Sequence, residues 1–515
     1  MDLSTALNAV TATLRRRPSD LLPFYLLGTA VPMIARTAGF VALAAVFLHL
    51  ELSGRLATAR EALADLDVTA PPIESEDPTA FEEWAEANPD AFGEWMEGLL
   101  PVFEALFSPT AVALIVGGIV ATVLLGILGY AAVSAGQMSA VFARLRSERG
   151  LTAGIAGVRK HWLTFLGVYL AELLLWLGVI GLATVTVIAA VIVDPLLGAV
   201  VGLGAFLVGF VVLVAVRILF AFAPAAVVVD DAGVVGAVSG AGGFVRSNPA
   251  DAAAYLVVAI GVVVGLSSVA SALAFLGGGA IVALVSAVLV APALDLLKTV
   301  LYGDYRDAVA PVSPPEARLR DQFSAGLRRG WGDMTTFVRA TPGLHLLTLA
   351  VGVGAGVLGW VAAEPFVGTF PTSIEARLDG HVPPVAALEF FGNNWTVAIS
   401  TAFAGVALAV PAITSVAFNG LVLGAVAALE ENLDALVAFV VPHGIFEIPA
   451  LVVAGALGLH LGVVGWRAFR GRLSRVGFAD ELERAFWVTM GVGVLLAVAA
   501  LIEGFFSPYY WQLFL

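Results

Sequence analysis

Cysteine is absent from the 515-residue chain, which excludes disulfides, thiol nucleophiles and thiolate metal sites together. Lysine is almost absent as well. Lys160 and Lys298 are the only two, and the other cations are arginines and histidines. Charged residues make up 13% of the chain and the net charge is −14, so the basic stripe that nucleic-acid binding needs is missing and no nucleic-acid partner is expected. An acidic chain this poor in lysine fits a host with a salt-rich cytoplasm, where carboxylates stay hydrated. No Gly-x-x-x-x-Gly-Lys loop occurs, so any dependence on a nucleotide would have to come from a partner. Ser400 and Ser415 lie in no nucleophile-like turn, and a serine hydrolase has no support.

What fills the chain is apolar sequence. Hydrophobic residues make up 60% and the mean hydropathy is +0.96, more than a soluble domain of this size can bury. The apolar runs are continuous rather than alternating, which favours helices over a β-barrel. The expected fold is all-α and polytopic, with about eleven transmembrane helices. The runs fall at 21–50, 110–139, 161–193, 196–222, 252–276, 279–300, 344–363, 395–410, 412–429, 442–466 and 485–506. Arg15-Arg16-Arg17 ahead of the first run resembles a signal-sequence start. The run continues without a prompt small-residue cleavage pattern, so an uncleaved first span is expected.

Arginine placement sets the expected orientation. The cations concentrate at 15–17, 144–160, 306–339 and 467–484. A cytoplasmic N-terminus with about eleven spans puts all four segments inside and the C-terminus outside. The acidic stretches 51–108 and 364–394 then fall outside. The run 395–429 reads either as one long helix or as a hairpin broken at Pro411. Only the hairpin keeps Arg467, Arg470, Arg472 and Arg475 inside, so the hairpin is expected.

Three parts follow: a six-helix membrane domain over 1–303, a cytoplasmic charged linker or surface helix over 304–343 with Pro311, Pro314 and Pro315, and a five-helix domain over 344–515. A small-residue stretch ending in Arg recurs before a span at Leu14–Pro18, Val158–Trp162, Val245–Pro249 and Val338–Pro342. Each reads as a short cytoplasmic surface helix, either as simple positive-inside anchoring or as a duplicated hairpin unit. Within 51–109, Phe81-Glu-Glu-Trp84 is echoed by Phe92-Gly-Glu-Trp95, and Met96, Leu99, Leu100, Phe103 and Leu106 continue the stripe. One or two acidic amphipathic helices are expected there.

The sequence Pro442-His443-Gly444-Ile445-Phe446-Glu447-Ile448-Pro449-Ala450 places two ionisable groups four residues apart in an apolar run. Helical spacing sets both on one face, and such a pair inside a bilayer is costly enough to mark a candidate site. Asn393-Asn394 precedes it, as does Asn419-Gly420-Leu-Val-Leu-Gly424. Gly455-Ala-Leu-Gly458 and a late Glu503 follow. In this order the motifs resemble the stage II sporulation protein M family, over about residues 341–515. The resemblance implies a membrane scaffold that recruits and positions partner enzymes rather than an enzyme itself. The first part resembles a class of six-helix prokaryotic membrane domains with no assigned activity.

Asn393, Asn394, Asn419, His443, Glu447 and Glu503 form the candidate polar cluster. The functional reading is a pocket opening outward for a lipid headgroup, an ion or a partner segment. The structural reading is a network in which His443 and Glu447 satisfy each other and Asn419 bonds backbone carbonyls. If Asn432 starts the helix, His443 lies near the midplane. If Pro442 starts it, His443 lies near the outer interface, which proline's preference for a first turn favours, leaving 432–441 interfacial or re-entrant. Gly420, Gly424, Gly444, Gly455, Gly458 and Gly462 are the expected helix-packing glycines. No cofactor, metal or catalytic residue is expected. The partners expected are the bilayer, other membrane or envelope proteins and, as an open alternative, further copies of the chain. The expected function is a non-enzymatic scaffold or complex subunit in the cell membrane. The alternatives are a permease-like subunit, suggested by spans broken near Pro411 and Pro442, and an intramembrane metal-dependent hydrolase using His443, Glu447, Glu503 and His381.

Overall fold

A computed structural model of the chain describes residues 2–64, 80–275, 279–310, 312, 314–368, 372–378 and 380–514. Residues 65–79 of the expected amphipathic segment, Leu276 and Pro311 lie outside that range. The helices are α1 (Leu3–Arg16), α2 (Leu22–Leu52), α3 (Arg55–Ala64), α4 (Ala80–Ala87), α5 (Pro89–Leu106), α6 (Pro109–Leu145) and α7 (Gly150–Val193). Next come α8 (Pro195–Val229), α9 (Val234–Ser247), α10 (Pro249–Phe275), α11 (Ala280–Val285), α12 (Ala291–Tyr305), α13 (Leu319–Ala340) and α14 (Pro342–Ala363). The last are α15 (Ile374–Arg377), α16 (Pro383–Ala404), α17 (Val410–Leu429), α18 (Leu433–Phe469), α19 (Arg475–Phe505) and α20 (Ser507–Tyr510). A π-turn at Ser286–Val290 joins α11 and α12 into one continuous span.

Ten helices among the described residues are long and apolar enough to cross a membrane. The chain is an all-α, multi-pass membrane protein. The remaining expected span, 395–410, is represented by α16, whose 22 residues reach about 33 Å at the α-helical rise. It is long enough to cross but less apolar, because it carries Glu389, Asn393 and Asn394.

Proline sets several boundaries. α1, α9 and α13 each stop at a residue that precedes proline. Arg17 has φ −153° and ψ 75°, Asn248 φ −131° and ψ 59°, and Thr341 φ −130° and ψ 47°. The proline ring keeps the preceding residue out of the α region, so the short helices expected ahead of Pro18, Pro249 and Pro342 are present. The one expected around Val158–Trp162 is not. No proline follows there, and α7 runs through it unbroken for 44 residues.

Two expectations in the second half change. The hairpin between α16 and α17 is present, but it turns at Gly405–Ala409 and not at Pro411, which sits in the first turn of α17. Leu408 and Ala409 adopt left-handed φ values of 62° and 63°, which costs an L-residue roughly 1–2 kcal/mol. The contact with α18 holds this turn: a Cβ on Gly462 would lie 2.5 Å from Ala409 N. The second change concerns α18, which does not begin at Pro442. It starts after Asn432, whose side chain accepts from Ala435 N, and continues for 37 residues with Pro442 and Pro449 inside it. Residues 432–441 are therefore cap and helix rather than a separate re-entrant stretch. An N-cap side chain and the packing of Leu436 and Phe439 outweigh the lost proline N–H bond.

The chain divides into two compact units, Ile34–Gly126 and the remainder (Met1–Met33 with Ile127–Leu515). In the smaller unit α3 packs on α5, and Val46, Leu50 and Ala111 are buried among Leu56, Leu106 and Leu114. These are the amphipathic helices expected over 51–109, as far as they are described.

In the larger unit, helices from both sides of 304–343 pack together, α7 against α19 and α11 against α16. The cation-rich segments meet at one end of it. Arg149 pairs with Asp480 and, at 3.6 Å, with Glu483. Arg329 reaches Glu483 at 3.5 Å, and Ser19 Oγ donates to the same carboxylate at 3.0 Å. Arg15 donates to Ala317 O at 2.8 Å. Four segments far apart in sequence thus share one end, as a positive-inside arrangement requires. In the loop after α8, a hydrogen bond from Lys160 at 2.6 Å pulls the Asp231 carboxyl below its ordinary pKa.

Candidate functional site

Backbone-to-backbone contact builds the scaffold around the site. On α17, a Cβ at Gly420 would lie 2.3 Å from Gly352 O of α14, and one at Gly424 would lie 1.9 Å from Gly356 O. On α18, a Cβ at Gly458 would meet Thr401 O of α16 at 2.7 Å, and one at Gly455 would meet Thr348 and Val416. Five of the six expected packing glycines therefore stand at helix crossings where no side chain fits. Gly444 does not. Its nearest neighbours are Val440 and Ile448 of its own helix, at 3.4 and 3.6 Å. Its turn of α18 faces side chains rather than another backbone.

Against this scaffold α18 and α19 bring His443, Glu447 and Glu503 together. One ligand atom from each lies within 4.8 Å of the others. His443 Nε2 is 4.0 Å from Glu503 Oε1, with side-chain exposures of 7% and 13%. His443 Nδ1 is hydrogen-bonded to Ser507 Oγ at 3.2 Å. The ring of Phe439 stands edge-on to the imidazole, 5.5 Å away. Glu503 Oε2 is inaccessible to solvent and has no hydrogen-bond partner. His443 and Glu447 do not satisfy each other. The imidazole turns instead to Ser507 on one side and Glu503 on the other.

Depth follows from α19 rather than from the start of α18. His443 lies about 16 Å along α18 from its N-cap, yet it faces Glu503, two residues from the end of α19. The opening turns of α18 thus reach past α19, where Ala435, Leu436 and Phe439 are buried with Ile374 and Trp511. Another polar pair, His460 Nε2 with Glu481 Oε2 at 3.0 Å, lies towards the arginine-bearing end of the same two helices. Glu481 and Glu503 are about 33 Å apart along α19, roughly the thickness of a hydrocarbon core.

The other expected residues are placed separately. Asn419 Nδ2 donates to Ser415 O at 2.8 Å, a backbone carbonyl one turn back. Asn393 and Asn394 bond each other at 3.3 Å. His381 does not join the three. Its Nε2 bonds Gly504 O at 2.8 Å, and its side chain lines an open cleft of about 680 Å³ beside Glu375, Tyr509, Trp511 and Gln512. The cleft wall contains Pro508, the residue after the histidine's partner Ser507. The segment 372–374 is held over this end by Glu430, whose carboxylate accepts from Thr372 Oγ1 and Ile374 N.

Residues 346–508 match the family model for Stage II sporulation protein M. The match starts inside α14, ends in α20 and contains His443, Glu447, Glu503 and Ser507, so the Stage II sporulation protein M segment includes the whole site. It falls within the stretch that the Asn, Gly and His/Glu motifs delimit in the sequence. No curated protein and no solved structure matches the chain.

Sequence reading passed over two buried clusters outside that segment. Asp295 accepts from Tyr25 Oη at 2.8 Å and pairs with Lys298 at 2.7 Å. Asp20 accepts from Gly150 N and Leu151 N and lies 3.5 Å from Arg144. The first was visible as an i, i+3 pair of charges in an apolar run. The second joins residues more than 100 positions apart, and no local pattern announces it.

Proposed function

We propose that this chain is a non-catalytic subunit of a complex in the cytoplasmic membrane, a scaffold that holds other membrane or envelope proteins. The observation that carries the reading is the cleft of about 680 Å³ at the end of α19 remote from the arginines. Its wall carries a carboxylate, an imidazole, a phenol and an amide from Glu375, His381, Tyr509 and Gln512, beside the indole of Trp511. A polypeptide segment is read by such a mixture of aromatic and hydrogen-bonding groups. Glycine contacts hold the helices beneath it backbone to backbone, which suits a surface that must keep its shape while partners bind. The match of residues 346–508 supports the same class of role.

The test is purification of the full chain in mild detergent with identification of the proteins that stay bound, beside a Tyr509→Ala/Trp511→Ala variant. The expected result is a defined set of membrane or envelope proteins with the wild type that the variant loses. A chain that brings down nothing, yet moves solutes across liposomes alone, would overturn the scaffold in favour of a permease.

A further inference from the structure

We propose that His443, Glu447 and Glu503 bind a divalent transition-metal ion of the zinc, manganese or iron class. Two carboxylates and one imidazole converge with their ligand atoms within 4.8 Å. Ionised, the two carboxylates carry two negative charges. The sole basic side chain paired with either among the described residues is the weakly basic His443. Isolated charges removed from water cost several kcal/mol each, so this set requires two positive charges, as two protons or as one divalent cation.

Three features favour the cation. Glu503 Oε2 is buried without a hydrogen-bond partner, whereas protonated carboxyls buried together would bond each other or the backbone. Ser507 occupies His443 Nδ1 and leaves Nε2 directed at the carboxylates, the way an outer hydrogen bond orients a ligating imidazole. The donors also come from two helices packed along their lengths, α18 and α19, which fixes their spacing. Imidazole with carboxylate donors selects zinc, manganese or iron over magnesium and calcium, which prefer all-oxygen shells. A tetrahedral ion with bonds of about 2.0–2.1 Å draws its donors to roughly 3.4 Å apart. Rotation of the two glutamate side chains closes the remaining gap. Three protein donors leave a coordination position open.

The experiment uses the full chain in detergent. After chelator treatment and dialysis against Zn²⁺, Mn²⁺ or Fe²⁺, metal content is measured by mass spectrometry. About one ion per chain is expected for the wild type. Glu447→Gln and Glu503→Gln should each lose most of it, and Ser507→Ala should weaken binding roughly 10–100-fold. His381→Ala should keep it, because that ring is held by Gly504 O. Should a variant fail to elute as a folded species, Co²⁺ added to the wild type decides by its visible spectrum, which reports nitrogen and oxygen donors at low coordination number. A wild type without retained metal and without the Co²⁺ spectrum overturns the proposal and leaves a proton-sharing cluster. Unchanged binding in a folded Glu503→Gln variant overturns it equally. Neither result bears on whether the chain is a scaffold, which the co-purification experiment reads separately.

Discussion

Gly424→Ala isolates the contact on which the second half of the bundle rests. The new Cβ would lie 1.9 Å from Gly356 O, where ordinary contact begins at 3.4 Å. The obstacle is backbone, so no side-chain rotation relieves it, and α14 and α17 must part by about 1.5 Å along that line. Separating them also loosens the neighbouring approaches of Gly420 to Gly352 O and of Gly359 to Leu421 O. Overpacking of this kind costs about 1–3 kcal/mol, while alanine's better helix propensity returns about 1 kcal/mol. The net expectation is a loss of about 1–2 kcal/mol. Gly444→Ala is the matched control, with nothing nearer than 3.4 Å. It should be neutral or stabilising by up to about 1 kcal/mol. The assay is the fraction of protein that still elutes as a single species after a temperature series in detergent. Gly424→Ala should lower the midpoint and Gly444→Ala should not. Adding Gly420→Ala should cost less than the sum of the single changes, since one displacement relieves both clashes. Equal midpoints for the two single variants would refute the backbone-contact argument.

Three further outcomes follow from named contacts. Asp20→Ala removes the acceptor of Gly150 N and Leu151 N and leaves Arg144, 7% exposed, without its carboxylate. A destabilisation of about 3–5 kcal/mol is expected, read by the same thermal assay, and a change within 0.5 kcal/mol (approximately the surface-substitution range) would contradict it. Lys298→Met strands Asp295 with Tyr25 as its remaining partner. It should cost more than the double change Lys298→Met/Asp295→Asn, and a double variant worse than the single one would count against a paired buried charge. The natural lack of cysteine makes single-thiol labelling clean. Arg472→Cys, at the arginine end, and Gln512→Cys, in the cleft, should react with an impermeant thiol reagent from opposite sides of sealed vesicles. Labelling of both from one side would overturn the topology.

The sequence by itself determined the membrane fold, most of its spans and the segment that holds the site. Continuous apolar length, proline placement and cation placement are local quantities, and the physics that reads them is local too. Thus Pro18, Pro249 and Pro342 end helices where expected, while the proline-free 158–162 does not. The i, i+4 spacing likewise put His443 and Glu447 on one face. Tertiary structure decided the rest. Whether Pro442 starts a helix depends on what packs against the turns before it, and Ile374 and Trp511 lie far from them in sequence. Which glycines crowd a neighbouring backbone depends on where helices cross, so Gly424 does and Gly444 does not. The partner of His443 is set by the end of α19, sixty residues on (Glu503) and beyond (Ser507, with |i−j| of 64), instead of by its neighbour one turn away. Short-range pattern says which side chains share a helix face. Only the packing of α18 on α19 says what that face meets.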